Sequence, residues 1–260
     1  MEPLAPEETA RGFKGWYASK QLPHFDAPGT RQFITYRLAD ALPAARRSEW
    51  AAFLALEDDL EKQRRIEHFL DQGYGECYLP DPRIAGLVQE NLWHHDGVKY
   101  RLLAWVIMPN HVHVSVEIWN VPLGEVLKSW KGYTSKVANK IVNRSCPFWE
   151  EDYFDRYVRD DGHYRRVVRY IENNPVKAGM AKAPEDWLWS SARYRGEPGA
   201  VVPVLTHPTA KRMPLASLRN GWNFVWVGTS CPHPEYRACL NPPCKGRKRR
   251  SSDSRLPFGA

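Results

Sequence analysis

The 260-residue chain predicts an α+β domain in which helices pack against an antiparallel sheet. Three observations carry this reading. Gln32–Leu38, Tyr100–Met108 and His111–Ile118 are short β-branched and apolar runs, and the last alternates with the period of two expected of a strand. Leu123–Val142 and Asp161–Asn174 instead place apolar residues at helical spacing. Between the second and third strands, Pro109-Asn110 is turn chemistry, which makes those strands a hairpin.

The elements follow in order. Residues 1–28 are punctuated by Pro and Gly and are expected to form an extended N-terminal arm. After the Gln32–Leu38 strand, a charged helical region runs from Ala44 to Asp71, with Trp50, Phe53, Leu54, Leu60, Ile66 and Phe69 available for packing. Pro80–Asp96 adds a shorter helix through Ile84, Leu87, Val88, Leu92 and Trp93. The hairpin comes next, then the Leu123–Val142 helix, whose inner stripe is Leu127, Trp130, Thr134, Val137 and Ile141. Tyr153–Arg159 reads as a strand. In the last helix Tyr164, Val167, Val168 and Ile171 fall at i, i+3, i+4 and i+7, with Pro175 expected to stop it and Gly179 in the exit loop. This order suggests a ferredoxin/RRM-like split β-α-β with helices mainly on one face of the sheet. The domain is expected over residues 29–198. Residues 199–260 lack a sustained period and end in the basic run Lys245–Arg250, so a flexible basic tail is expected there.

Composition favours an anionic partner. Lys and Arg number 37 against 30 Asp and Glu, a net charge of +7. Such an excess neutralises phosphates and makes binding salt-dependent. Aromatic residues make up 12% of the chain. Of these, Trp130, Tyr133, Trp149, Tyr153 and Tyr157 are candidates for stacking on unpaired bases, or simply core. The sequence contains no Walker loop and no G-x-G-x-x-G, so neither nucleotide-binding motif is expected. There is no secretory signal and no apolar run of ~18 residues, which points to a cytoplasmic protein. Five cysteines, an odd number, form no disulfide framework, and Cys231, Cys239 and Cys244 with His233 match no standard zinc spacing.

Two short motifs carry the chemistry. His111 and His113, one residue apart on a strand, point to the same face. They are either half of a divalent-metal site or a pair of surface histidines on an edge strand. Tyr170 and Asn174 lie four apart on the last helix and share a face beside its core stripe. There Tyr170 is either a core residue or a nucleophile at the rim of a site. Asn174 precedes Pro175, which biases it away from ideal helical geometry.

These residues stand in a longer ordered series. It comprises Met-Pro-Asn-His-Val-His at 108–113, Ser-Trp-Lys-Gly-Tyr-Thr at 129–134 and Phe-Trp-Glu-Glu-Asp-Tyr-Phe-Asp-Arg at 148–156. Arg-Tyr-Ile-Glu-Asn-Asn-Pro-Val-Lys-Ala-Gly at 169–179 and Asp-Trp-Leu-Trp-Ser-Ser-Ala at 186–192 follow. Over about residues 12 to 195 the series closely resembles the REP-associated tyrosine transposases, a branch of the IS200/IS605-like single-tyrosine transposases in the HUH endonuclease superfamily.

The resemblance implies the same split β-α-β fold and a role for each matching position. Tyr170 would be the nucleophile, leaving a 5′-phosphotyrosine and a free 3′-OH on cleaved single-stranded DNA. His111, His113 and Asn174 would hold a divalent metal, Mg²⁺ or Mn²⁺. The substrate would be hairpin-forming, palindromic repeats, handled in the bacterial cytoplasm by a monomer or a homodimer. Lys128, Lys131, Lys136, Arg156, Arg159, Arg165, Arg166 and Arg169 gather around these motifs as candidate DNA contacts. Two further readings share the metal site: a DNA-binding relative without catalysis, and a phosphoesterase that uses water in place of tyrosine.

Overall fold

The computed structural model of the chain describes residues 3–19 and 22–195; the expected 199–260 tail, with its cysteines, lies outside the described residues. In chain order the elements are α1 (Pro6–Ala10), β1 (Gly15–Ser19), β2 (Leu22–Asp26), β3 (Arg31–Arg37), α2 (Arg47–Leu54) and α3 (Asp59–Asp71). There follow α4 (Pro82–His94), β4 (Tyr100–Ile107), β5 (His111–Ile118), α5 (Leu123–Ile141), β6 (Phe154–Val158) and α6 (Asp161–Lys177).

Four strands form one antiparallel sheet in the order β4-β5-β3-β6. β5 therefore lies inside the sheet, which is why His111–Val116 is buried on both faces. On one face Ile34, Tyr36, Val112, Val114 and Val116 pack with Ile84 and Leu92 of α4 and Leu127 and Trp130 of α5. On the other, Phe33, Ala104, Val106 and Val158 meet Val167, Val168 and Ile171 of α6. Fully burying an aliphatic side chain of this size contributes about 1.5–3 kcal/mol, so both layers hold the sheet firmly. The α+β split predicted from the sequence is present, with α4 and α5 on one face of the sheet and α6 on the histidine face.

Helix starts follow local chemistry. Asp81 caps α4 by accepting from Arg83 N–H, with Pro82 in the first turn. Asp160 caps α6 by accepting from His163 N–H at 2.7 Å. The Asp186–Ala192 motif covers the β4 edge, where Ile107 N–H donates to the Trp189 carbonyl at 2.9 Å.

Three expectations change. The 1–28 stretch is not an extended arm. It forms α1 and the β1–β2 hairpin, and Phe13 and Phe25 are buried. Pro23 fits because a two-stranded ribbon consists of edge strands, where a missing N–H need not break a ladder bond. The Ala44–Asp71 region is two helices, broken between Leu54 and Asp59. Finally, Pro175 does not stop α6, which runs to Lys177. A proline near a helix end removes few bonds, and Ala178 N–H still reaches the Asn174 carbonyl at 2.9 Å. Asn174 therefore stays helical, and Gly179 at φ 70° turns the chain away.

Candidate active site

The site lies where the histidine face of β5 meets α6 and the end of α3. Register fixes the first half: His111 pairs with Arg37 and His113 with Thr35 on the neighbouring β3. Both histidines are at most 1% exposed. That removes the surface-pair alternative, and burial makes charging the rings costly. His111 is held far below its ordinary range, at about 3, by burial. His113 is lowered by burial first, then by His111 and Lys177. Both imidazoles are neutral near pH 7.

Their tautomers follow from their partners. Asn110 Nδ2 donates to the Tyr74 carbonyl at 2.9 Å, so the other amide atom, Oδ1, can only accept. It lies 2.7 Å from His111 Nδ1, which must therefore carry the proton. His111 Nε2 is left with a lone pair, 3.1 Å from His113 Nε2. On the far side of His113, Nδ1 sits 2.8 Å from the Thr35 hydroxyl, which can donate or accept. When Thr35 accepts, both Nε2 lone pairs face the same point, an arrangement that repels until a cation stands there.

α6 supplies the second half. Asn174 is fully buried and donates Nδ2–H to the Tyr170 hydroxyl at 3.1 Å. Its Oδ1 is buried without a hydrogen bond, an orphan acceptor whose desolvation costs on the order of 1–3 kcal/mol. Two imidazole nitrogens and an amide oxygen are a donor set that fits a divalent cation such as Mn²⁺ or Mg²⁺. Among the described residues no group of three or more His, Cys, Asp or Glu side chains is arranged to hold a metal.

Tyr170 packs edge-on against His113 and Phe33, with ring centroids 5.4 and 5.7 Å apart. Burial pushes its hydroxyl well above the ordinary range, reinforced by Glu67 and Asp71. Glu67 is a buried carboxylate on α3. One turn later on α3, Asp71 Oδ1 lies 3.9 Å from His111 Nε2, and Asp71 Oδ2 lies 3.7 Å from Lys177 Nζ. The Lys177 ammonium sits 5.6 Å from the Tyr170 ring centre. Sequence reading missed Thr35, Glu67, Asp71, Asn110 in its role as acceptor, and Lys177. Two were within reach: Asn110 and Lys177 lie inside quoted motifs. The i, i+4 acidic pair on α3 has no local signal that sets it apart from a solvated face.

The basic candidates divide. Arg165, Arg166 and Arg169 are exposed on α6, and Arg159 is exposed just before it. Arg166 lies one turn before Tyr170 on the same side of the helix. Arg156 is half-buried on β6. Lys128 and Lys136 are exposed, but on α5, which packs on the opposite face of the sheet from Tyr170. Lys128 also pairs with Glu125 at 3.5 Å.

Lys131 does not belong with them. Its ammonium donates to the carbonyls of Glu150, Glu151 and Asp152 at 2.9–3.2 Å, and burial pulls it down to about 8. Beside it, Trp149 Nε1 donates to the Thr134 hydroxyl at 2.8 Å. The 129–134 and 148–156 motifs are thus two halves of one structural joint. Trp130 and Trp149 are buried in it, whereas Tyr133 is 57% exposed and free to stack.

Comparison with known proteins finds similarity over part of the chain. Residues 90–174, from α4 through Asn174, match the family described as "Transposase IS200 like". Similar curated proteins include the REP-associated tyrosine transposase of Escherichia coli (strain K12), 29% identical over 94 residues, 35% of this chain and 54% of that protein. A putative REP-associated tyrosine transposase of Haemophilus influenzae is 22% identical over 103 residues, 35% of this chain and 58% of that one. The chain spans little more than half the length of these relatives. A solved structure of a REP-associated tyrosine transposase bound to a REP hairpin aligns with a TM-score of 0.43 at 17% identity, covering 68% of this chain and 85% of that one. Among the described residues no helix is long and apolar enough to cross a membrane.

Proposed function

We propose that the protein cleaves and rejoins single-stranded, hairpin-forming DNA of the REP type in the bacterial cytoplasm, through a 5′-phosphotyrosine on Tyr170. The observation that carries this reading is the convergence of three features. Two neutral imidazoles present Nε2 atoms 3.1 Å apart, Asn174 has an orphan oxygen, and the same Asn174 orients the Tyr170 hydroxyl. A phosphoesterase that uses water has no need of a tyrosine tied to the donor set in this way.

His111, His113 and Asn174 would hold a divalent cation, which supplies Lewis-acid charge to the non-bridging oxygens of the scissile phosphate. Asn110 keeps His111 in the tautomer this needs, and Thr35 can accept from His113 in the matching one. Asn174 holds the Tyr170 oxygen in place, and Phe33 and His113 fix the ring. Arg166 and Arg169, with Arg159, Arg165 and Arg156 nearby, would hold the flanking phosphates. Because the covalent bond conserves the energy of the phosphodiester, the free 3′-OH can reverse the step without a nucleotide cofactor.

The test is covalent trapping. The protein is incubated with Mn²⁺ and end-labelled single-stranded hairpin DNA from around its own gene, then denatured. A shifted, protease-sensitive band that vanishes in Tyr170→Phe and in His111→Ala is expected. Cleavage that persists in Tyr170→Phe with no shifted band would sink the proposal in favour of hydrolysis.

A further inference from the structure

Between the histidine face of the sheet and the helix pair α2 and α3 lies a cavity of about 300 Å³, at the small end of ligand pockets. Trp50 and Leu54 of α2 and Ile66 and Leu70 of α3 give it apolar walls. The cavity adjoins the candidate active site through Thr35, which lines it and lies 2.8 Å from His113 Nδ1. Arg37 lines it too, on the same face of β3 as Thr35. Only 10% of the Arg37 side chain is exposed. Its guanidinium lies 4.5 Å over the Trp50 ring, and Nη2 is 3.5 Å from Glu150 Oε2. Nη1 is buried without a hydrogen-bond partner. A buried charged donor left unused is costly, so the guanidinium calls for an acceptor. Glu150 and Asp152 line the same cavity, and their carboxylates would repel a phosphate there. The chemistry that fits is flat, uncharged and equipped with both acceptors and N–H donors. A nucleobase meets these terms, and guanine meets them best. Its N7 and O6 accept from an arginine fork, while N1–H and N2–H₂ on the next edge can donate to a carboxylate. Adenine places an amino donor where O6 stands and so opposes the guanidinium.

We propose that this cavity is a subsite for one unpaired guanine of the DNA strand, read by Arg37 and set beside the phosphate held at the histidine pair. The inference rests on the single-stranded DNA reading above. Arg37 is a specificity-determining residue and takes no part in the chemical step. Trp50 and the other apolar walls stack on the faces of the base, and Glu150 accepts from its N–H edge. Arg37 and the walls from α2 and α3 precede residues 90–174, the segment that matches the transposase family.

The experiment measures binding of the full chain, in EDTA, to single-stranded hairpin DNA from around its own gene by fluorescence anisotropy. Each unpaired base is replaced in turn by an abasic site, and each unpaired guanine by 7-deazaguanine, which lacks the N7 acceptor. In the unsubstituted protein an abasic site at one guanine is expected to cost about tenfold or more in affinity, the scale of one stacked and read base. 7-Deazaguanine at that position should cost part of the same loss. Arg37→Met and Arg37→Lys, which remove the fork with and without the charge, should show less than about twofold discrimination there. Arg37→Met should also keep its melting temperature, because it removes a buried charge with an unused donor. A penalty that does not depend on Arg37, or one at a base other than guanine, overturns the subsite. An equal loss for every oligonucleotide, abasic ones included, makes Arg37 a nonspecific contact and overturns it as well. If Arg37→Met melts far below the unsubstituted protein, Arg37→Lys decides, and full discrimination there overturns the proposal. Failure of the unsubstituted protein to bind hairpin DNA at all overturns the DNA reading itself, and this inference with it.

Discussion

Asn110 accepts a 2.7 Å hydrogen bond from His111 Nδ1 and, through its own Nδ2, is tied to the Tyr74 carbonyl. The turn that opens β5 therefore also fixes which nitrogen of the adjacent histidine is free. Orientation of this kind around a metal ligand is worth about 10–100-fold in affinity. Asn110→Ala is accordingly expected to weaken Mn²⁺ binding by roughly that factor, measured by calorimetry. It should also lower thermal stability, because a buried imidazole N–H and the Tyr74 carbonyl lose their partner. Unchanged Mn²⁺ affinity would show that His111 needs no such support.

Asn174 separates function from stability in the opposite sense. Its oxygen is buried without a partner, so the metal-free protein gains little from the side chain beyond the bond to Tyr170. Asn174→Ala should cost no more than about 1–2 kcal/mol by chemical denaturation in EDTA, the scale of one net hydrogen bond with some lost packing. It should nevertheless lose at least tenfold in Mn²⁺ affinity. A large loss of stability together with intact metal binding would remove Asn174 from the donor set.

These two residues also mark how far the sequence could be read. The strand period placed His111 and His113 on one face, and the helical period placed Tyr170 and Asn174 on another, because both patterns are local and their periods differ. What no local pattern contains is the return of α3 onto the site. Glu67 and Asp71 come near Tyr170 and His111 only after the break between Leu54 and Asp59 redirects the chain, and a charged helix looks the same in sequence whether its acids face water or a buried site. Lys131 misled for a related reason. It follows Trp130 at the edge of the α5 stripe, and only the approach of residues 150–152 turns it from a surface cation into a joint. The arm was misread because Pro and Gly suit a two-stranded hairpin as well as an extended segment.

That joint leads to a contrast in salt dependence. Arg166→Ala and Arg169→Ala should each reduce the slope of log affinity against log salt for single-stranded DNA by about 0.7, the value for one phosphate contact. Lys131→Met should leave the slope unchanged and lower the melting temperature, since three carbonyls lose their donor. Fluorescence anisotropy across a salt series reads the slopes. A slope change in Lys131→Met without loss of stability would return that residue to the DNA surface.

The hairpin is docked by a buried ion network with its own pH signature. His24 lies against Asp155, and its Nε2 is 3.4 Å from Asp152 Oδ1. Burial alone would lower its pKa, but the Asp152 and Asp155 carboxylates override this and raise it to about 9. In the unfolded chain a histidine titrates near 6.5. A raised folded value means that the folded state holds the proton more tightly. The stabilisation is complete below about pH 6.5, declines above it, and is gone once the pH has passed about 9. Stability measured by denaturant should therefore fall between these limits, and His24→Ala should flatten that fall. The substitution also leaves Asp155 buried without its cation, a loss on the order of 3–5 kcal/mol. Because Phe25 N–H donates to Asp155 at 3.1 Å and Leu123 N–H to Asp26 at 2.9 Å, the hairpin should loosen as a unit. Proteolysis in residues 15–26 would then appear before cleavage in β3 or β5. A stability profile that is flat from pH 6 to 9 in the unsubstituted protein would mean that His24 is neutral in the fold and that apolar packing alone holds the hairpin.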